Sequence, residues 1–125
     1  MSTFADGFID SLPEELPEDL LGFVLGRVNS FVKWDILRFL KENAGVADTY
    51  AGIARYVGRS PDVVESQLQE MAGDGLLSIS ILNGQELYSL TGDSRTLDLI
   101  DRFHRGCLNR QFRLRVVYHV AKSMC

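Results

Sequence analysis

His104 and Cys107 stand three positions apart, so a helix through them carries an imidazole and a thiol on neighbouring positions of one face. Two such ligands per chain, doubled by a two-fold axis, match the number and softness of a four-coordinate transition-metal site. The inert alternative is a buried cysteine: Cys107 falls on an apolar stripe, and free cysteine packs as a small hydrophobe. That alternative gives a chain with no metal and no cofactor. His119 lies fifteen residues beyond His104, too far along one helix to join the pair, and Cys125 reads as a thiol at a frayed helix end. Catalytic groupings are not apparent. The sequence has no glycine-rich phosphate loop, no nucleophile elbow and no paired carboxylates on a core element, so no catalytic residue and no enzymatic activity are expected. Glu14-Glu15 and Glu18-Asp19 read as solvated charges of a first helical turn, and Gly22-x-x-x-Gly26 as a packing notch or a tolerated pair.

The elements that would position these residues are marked by their punctuation. Ser11-Leu-Pro-Glu14 has capping-box spacing, so a helix begins near Ser11 or, after Pro17, near Glu18, and runs through Leu20, Phe23, Val24 and Val28. Apolar residues resume at Phe31 and continue through Leu40, either as a second helix capped by Ser30 or as an extension of the first. Asn43-Ala-Gly45 ends that segment. Asp48-Thr49 caps a short amphipathic stretch with Tyr50, Ile53, Ala54 and Val57 inward, closed by Gly58. Ser60-Pro61 opens the next helix, whose inward positions are Val64, Leu68 and Met71, and Gly73-Asp-Gly75 stops it. Leu76 to Leu82 then reads as a strand with Leu77, Ile79 and Ile81 on one face, Asn83-Gly84 as a type I′ turn, and Gln85 to Leu90 as the return strand. From Arg95 to about Ser123 the pattern is helical, interrupted only by Gly106. Leu97, Ile100, Phe103, Cys107, Leu114, Val117, Ala121 and Met124 form one apolar stripe along it.

A chain of 125 residues and 14.0 kDa, 46% hydrophobic and 24% charged, fits a single domain with its own core. The 13 bases against 17 acids argue against a polybasic surface binder. The charge is nonetheless segregated: residues 1–20 carry six acids and no base, whereas 95–125 carry seven bases and two acids. The amino-terminal segment is acidic and broken by Pro13 and Pro17, unlike a secretory leader, and no apolar run approaches the ~20 residues of a membrane span. On a single terminal helix Cys107 and Cys125 would stand roughly 27 Å apart, too far for a disulfide. Free thiols and no leader imply a cytoplasmic protein that avoids membranes.

Trp34-Asp-Ile-Leu-Arg-Phe-Leu40, Ile53-Ala54, Val57-Gly58, Ser60-Pro-Asp-Val-Val64, Leu68, Met71, Gly75-Leu76-Leu77 and Asn83-Gly84 through Leu87-Tyr88-Ser-Leu-Thr91 closely resemble the ArsR/MarR-type winged helix-turn-helix transcriptional regulators over roughly residues 31–91. The expected fold is mainly α with a small antiparallel β-hairpin: a winged helix-turn-helix core flanked by an N-terminal helix (12–28) and a C-terminal helix (95–123). The resemblance implies a regulator that binds DNA as a homodimer through those flanking helices. Ile100, Phe103, Cys107, Leu114, Val117 and Ala121 are the candidate interface. An apolar stripe roughly eight turns long, more than a three-helix core can cover, argues for dimerisation independently.

In DNA-binding members the helix matching residues 60–72 enters the major groove and the hairpin tip nears the backbone, both usually basic. The candidate contacts here are Arg55, Arg59, Ser60, Val63, Ser66, Gln67, Asn83 and Gln85, with Ser66 and Gln67 able to read base edges. Yet Ser60 to Ser94 contains no Lys or Arg and six acids: Asp62, Glu65, Glu70, Asp74, Glu86 and Asp93. The alternative is a winged-helix module that docks a protein through this acidic surface. Arginines gather instead on the last helix, where Arg102, Arg105 and Arg113 share a polar face with Asn109. That face is a solvated one, a partner for the acidic 1–20 segment within the chain or across a dimer, or a site for an anionic partner.

Overall fold

The computed structural model describes residues 14–125. Six helices and one hairpin follow in order: α1 (Glu18–Arg27), α2 (Phe31–Glu42), α3 (Tyr50–Val57), α4 (Pro61–Gly73), β1 (Leu77–Leu82), β2 (Gln85–Leu90), α5 (Ser94–Gly106) and α6 (Arg110–Ser123). The architecture is mainly helical with a small antiparallel sheet, as the sequence leads one to expect.

The open question between 12 and 43 resolves into two helices. Val28 leaves helical geometry, and the Ser30 hydroxyl accepts from the Lys33 N–H at 3.1 Å, capping α2. The start after Pro17 is the observed one, with Glu18 and Asp19 in the first turn; the capping box at Ser11 lies outside the described residues. Thr49 caps α3 through the Gly52 N–H, and Gly58 ends it in left-handed geometry with φ 72°. Pro61 occupies the first turn of α4, although the Ser60 hydroxyl makes no capping bond. Asn83 (φ 53°) and Gly84 (φ 80°) form the two-residue turn, pairing Leu82 with Gln85 and, at the base, Leu77 with Leu90.

α3 and α4 pack together and against α2, while the hairpin docks by its base, where Leu77 and Tyr88 are buried. Ile36, Leu40, Ile53, Val64, Leu68, Met71 and Leu76 fill the centre of this half. The same core continues without a break into Leu20, Phe23, Val24 and Val28 of the first helix region and Ile100, Phe103, Val116 and Val120 of the last two helices.

The long terminal helix of the sequence reading is two helices. Gly106 ends α5, and the Asn109 side chain caps α6 by accepting from the Phe112 N–H at 3.0 Å. The turn over Cys107-Leu108-Asn109 sends α6 back onto α1. The cap also resets the helical phase: Val116, Tyr118 and Val120 are buried, whereas Leu114, Val117 and Ala121 are only half-buried and Met124 is exposed. No stripe eight turns long survives the break, so it supplies no argument for dimerisation. The single-helix separation of Cys107 and Cys125 lapses with it, although both cysteines are free. One inward position shifts: Tyr50 is 38% exposed. Leu77, Ile79 and Ile81 share one face as expected, but Ile79 and Ile81 reach beyond the core that would cover them.

Candidate interaction surface

The outer face of α4 is built as the periodicity requires. With Val64, Leu68 and Met71 at 0% exposure, Pro61, Asp62, Val63, Ser66, Gln69 and Glu70 turn outward. Ser60, Val63 and Ser66 therefore stand exposed on one helix, Asn83 and Gln85 are exposed at the hairpin, and Arg55 is exposed on α3.

Two of the candidate contacts are already engaged. Arg59 donates through Nε (2.9 Å) and Nη2 (2.7 Å) to the same oxygen of Asp35 on α2. Gln67 accepts from the Ser30 hydroxyl at 2.8 Å and donates to Glu70 at 3.1 Å. Glu70 in turn holds Lys33, a lysine 3% exposed whose ammonium also donates to Asn29. This knot ties the start of α2 to the middle of α4 and satisfies the buried cation. Arg55 alone of the two arginines is without an ion-pair partner among the described residues.

Beyond the knot lies a feature that alternation alone could not reveal. In β1 and β2, Ile79 pairs with Tyr88 and Ile81 with Glu86, placing these four on one face of the hairpin, whereas Ser78, Ser80 and Ser89 lie on the other. The first face closes over the core at Tyr88 and then overhangs it: Ile79 is 44% exposed and Ile81 66%. A hollow of about 340 Å³ lies between the start of α3 and the tip of the hairpin, lined by Thr49, Tyr50, Glu65, Gln85, Glu86 and Tyr88. Burial pushes the Tyr88 hydroxyl up in pKa, and the charges of Glu86 and Glu65 add to it, outweighing a hydrogen bond with Gln69.

The metal candidates line a second, separate hollow, about 220 Å³, floored by Trp34, Leu37 and Phe103. The His104 ring nitrogen is 4.0 Å from Glu42. Burial pushes the Cys107 thiol up to about 12 despite the opposing charge of Arg113, so it is not a thiolate at neutral pH. No group of three potential metal ligands occurs among the described residues. Of the dimer candidates, Ile100 and Phe103 are 0% and 2% exposed within the chain's own core, which removes them from any outer face. Cys107 is half-buried, like Leu114, Val117 and Ala121.

Of the predicted basic face only Arg102 meets the acidic amino-terminal segment, while Arg105 pairs with Asp101 and Arg113 donates to the Cys107 carbonyl; Arg115 and His119 of α6 join it at Glu15. Arg102 grips Asp19 through its two terminal guanidinium nitrogens, and Glu15 receives His119 at 2.8 Å and Arg115 at 3.6 Å. Burial raises the Glu15 pKa, but hydrogen bonds from His119 and the Leu16 N–H, with the charges of His119 and Arg115, leave it below its ordinary value. The hydrogen bond from Arg102 does the same for Asp19.

No family model, curated protein or solved structure matches the chain. No helix among the described residues is long and apolar enough to cross a membrane.

Proposed function

We propose that the chain is a non-catalytic winged-helix module of the transcriptional-regulator type whose α4 and hairpin address a protein rather than DNA. The observation that carries this reading is the character of that surface: carboxylates from Asp62 to Glu86 without one base, beside exposed Ile79 and Ile81. Phosphate neutralisation supplies much of the affinity of DNA binders, and an acidic face forfeits it. An apolar overhang with a charged rim suits a polypeptide. A cytoplasmic setting, in keeping with two free thiols, belongs to the same proposal.

Arg55 favours a second reading, DNA binding. It is exposed, without an ion pair among the described residues, and on the helix preceding α4, where a backbone contact would fall. Fluorescence anisotropy with a mixed-sequence duplex, run from 50 to 200 mM salt (about the span over which phosphate contacts weaken), separates the two. The protein-facing reading expects no saturable binding at the lower salt. Binding that falls steeply with salt and weakens in Arg55→Ala overturns it in favour of DNA.

A further inference from the structure

The overhang of the hairpin and the turn between α5 and α6 are complementary, and we infer that they dock against each other between two copies of the chain. This rests on the protein-facing reading and names its partner.

The slot supplies two apolar side chains and two carboxylates. Ile79 and Ile81 project past the core, Glu86 stands across the strands from Ile81, and Glu65 and Glu86 line one hollow, neither carboxylate having an ion-pair partner among the described residues. Alternation in β1 puts Ser78, Ser80 and Leu82 on one face and Leu77, Ile79 and Ile81 on the other, the more apolar of the two. The chain's own helices cover that face only as far as Tyr88.

The turn supplies the opposite. Leu108 is 76% exposed, the largest exposure among the described large hydrophobics, at the apex between α5 and α6. Other arginines of this region are engaged within the chain: Arg102 by Asp19, Arg105 by Asp101 and Arg115 by Glu15. Among the described residues Arg110 has no ion pair, and Arg113 donates only to the backbone carbonyl of Cys107. The turn is thus a leucine flanked by two guanidiniums that meet no carboxylate among the described residues, and the slot is a pair of isoleucines beside two carboxylates that meet no cation among them. Within one chain the two line different hollows, the turn beside Trp34 and the slot beside Tyr50. In a two-fold pair each copy inserts its turn into the other's slot, which makes the contact twice and closes the assembly. These opposite charges set its register.

Sedimentation equilibrium of the whole chain tests this. The chain should associate from a 14.0 kDa species to one of twice that mass within about 1–100 μM. Leu108→Asp and Ile81→Asp, both at exposed positions, should each raise the dissociation constant about tenfold or more. Glu86→Arg and Arg110→Glu should each weaken association. Their equimolar mixture should recover it, because the slot made basic by the first substitution then meets the turn made acidic by the second. A monomer throughout that range, or a dimer insensitive to both apolar substitutions, overturns the proposal. So does a failure of the mixture to associate better than either variant by itself. A monomer that also ignores DNA overturns self-docking and leaves the protein-facing reading in place.

Discussion

The Phe112 ring lies against Gly106 so closely that a Cβ at residue 106 would stand 2.6 Å from the ring's far edge. The ring also meets Phe103 edge-on, with centroids 6.4 Å apart, so swinging it aside to admit a side chain at 106 gives up that contact. The packing of Phe112 against the end of α5 therefore uses the absence of a side chain at 106.

Gly106→Ala should destabilise the chain by about 1–3 kcal/mol through overpacking, against the ~1 kcal/mol that alanine ordinarily adds within a helix. Urea unfolding measures the sign. Phe112→Leu in the Gly106→Ala background should return part of the loss. A Gly106→Ala variant more stable than the parent would show that the ring yields freely.

The clasp between the two ends of the chain predicts an acid-side loss of stability. Glu15 and Asp19 both have lowered folded values, from ordinary ones of 4.5 and 3.8. Carboxylates held below their unfolded pKa stabilise fully above it, and the contribution disappears as pH falls through the folded value. Urea midpoints measured from pH 6 down to 3 should fall. The fall should be shallower in Glu15→Gln and Asp19→Asn, which also start lower at pH 6. Curves parallel to the parent's would remove the clasp from the account.

Cys107 gives the complementary prediction at high pH. Its folded value is raised from 9.0 to about 12, so its contribution is complete below the unfolded pKa and is lost as pH rises toward the folded one. Stability should decline above pH 9, and less so in Cys107→Ala. At neutral pH iodoacetamide should alkylate exposed Cys125 faster than Cys107 by about tenfold or more, read by peptide mass.

Glu70→Ala leaves the Lys33 ammonium with Asn29 as its one remaining side-chain partner among the described residues. Glu70 is itself 55% exposed in its side chain, so solvent moderates the penalty to about 1–2 kcal/mol in thermal or urea unfolding. Glu70→Gln, which keeps an acceptor, should lose less.

The parts of this fold legible in the sequence are those with local grammar. Thr49, Gly58, Pro61 and Asn83-Gly84 announce their turns because each has a conformational or capping preference that needs no distant partner. The break at Gly106 is visible as an interruption, but Phe112, Leu114, Val116, Val117, Tyr118 and Val120 are apolar on nearly every side of α6. Periodicity cannot phase that helix, and the phase comes from the Asn109 cap and from packing on α1. In the candidate surface, helical spacing correctly turns Val63 and Ser66 outward. It cannot show that Arg59 and Gln67 are bound to Asp35, Ser30 and Glu70, since those bonds span 24 and 37 residues and a neighbour three positions away. The overhang of Ile79 and Ile81 is equally hidden, because alternation assigns a face and not what lies opposite it.

The packing of α6 on α1 also sets an order of events during synthesis. The apolar face of α1, with Leu20, Phe23 and Val24, is made among the first of the described residues, and Val116 and Val120, which complete the same core, among the last. At about 5–20 residues per second, that face waits roughly 5–20 s for its cover. The whole core closes only after translation has passed α6. A ribosome stalled within α5 would present an incomplete core, with Leu20, Phe23 and Val24 of α1 lacking the cover that α6 provides.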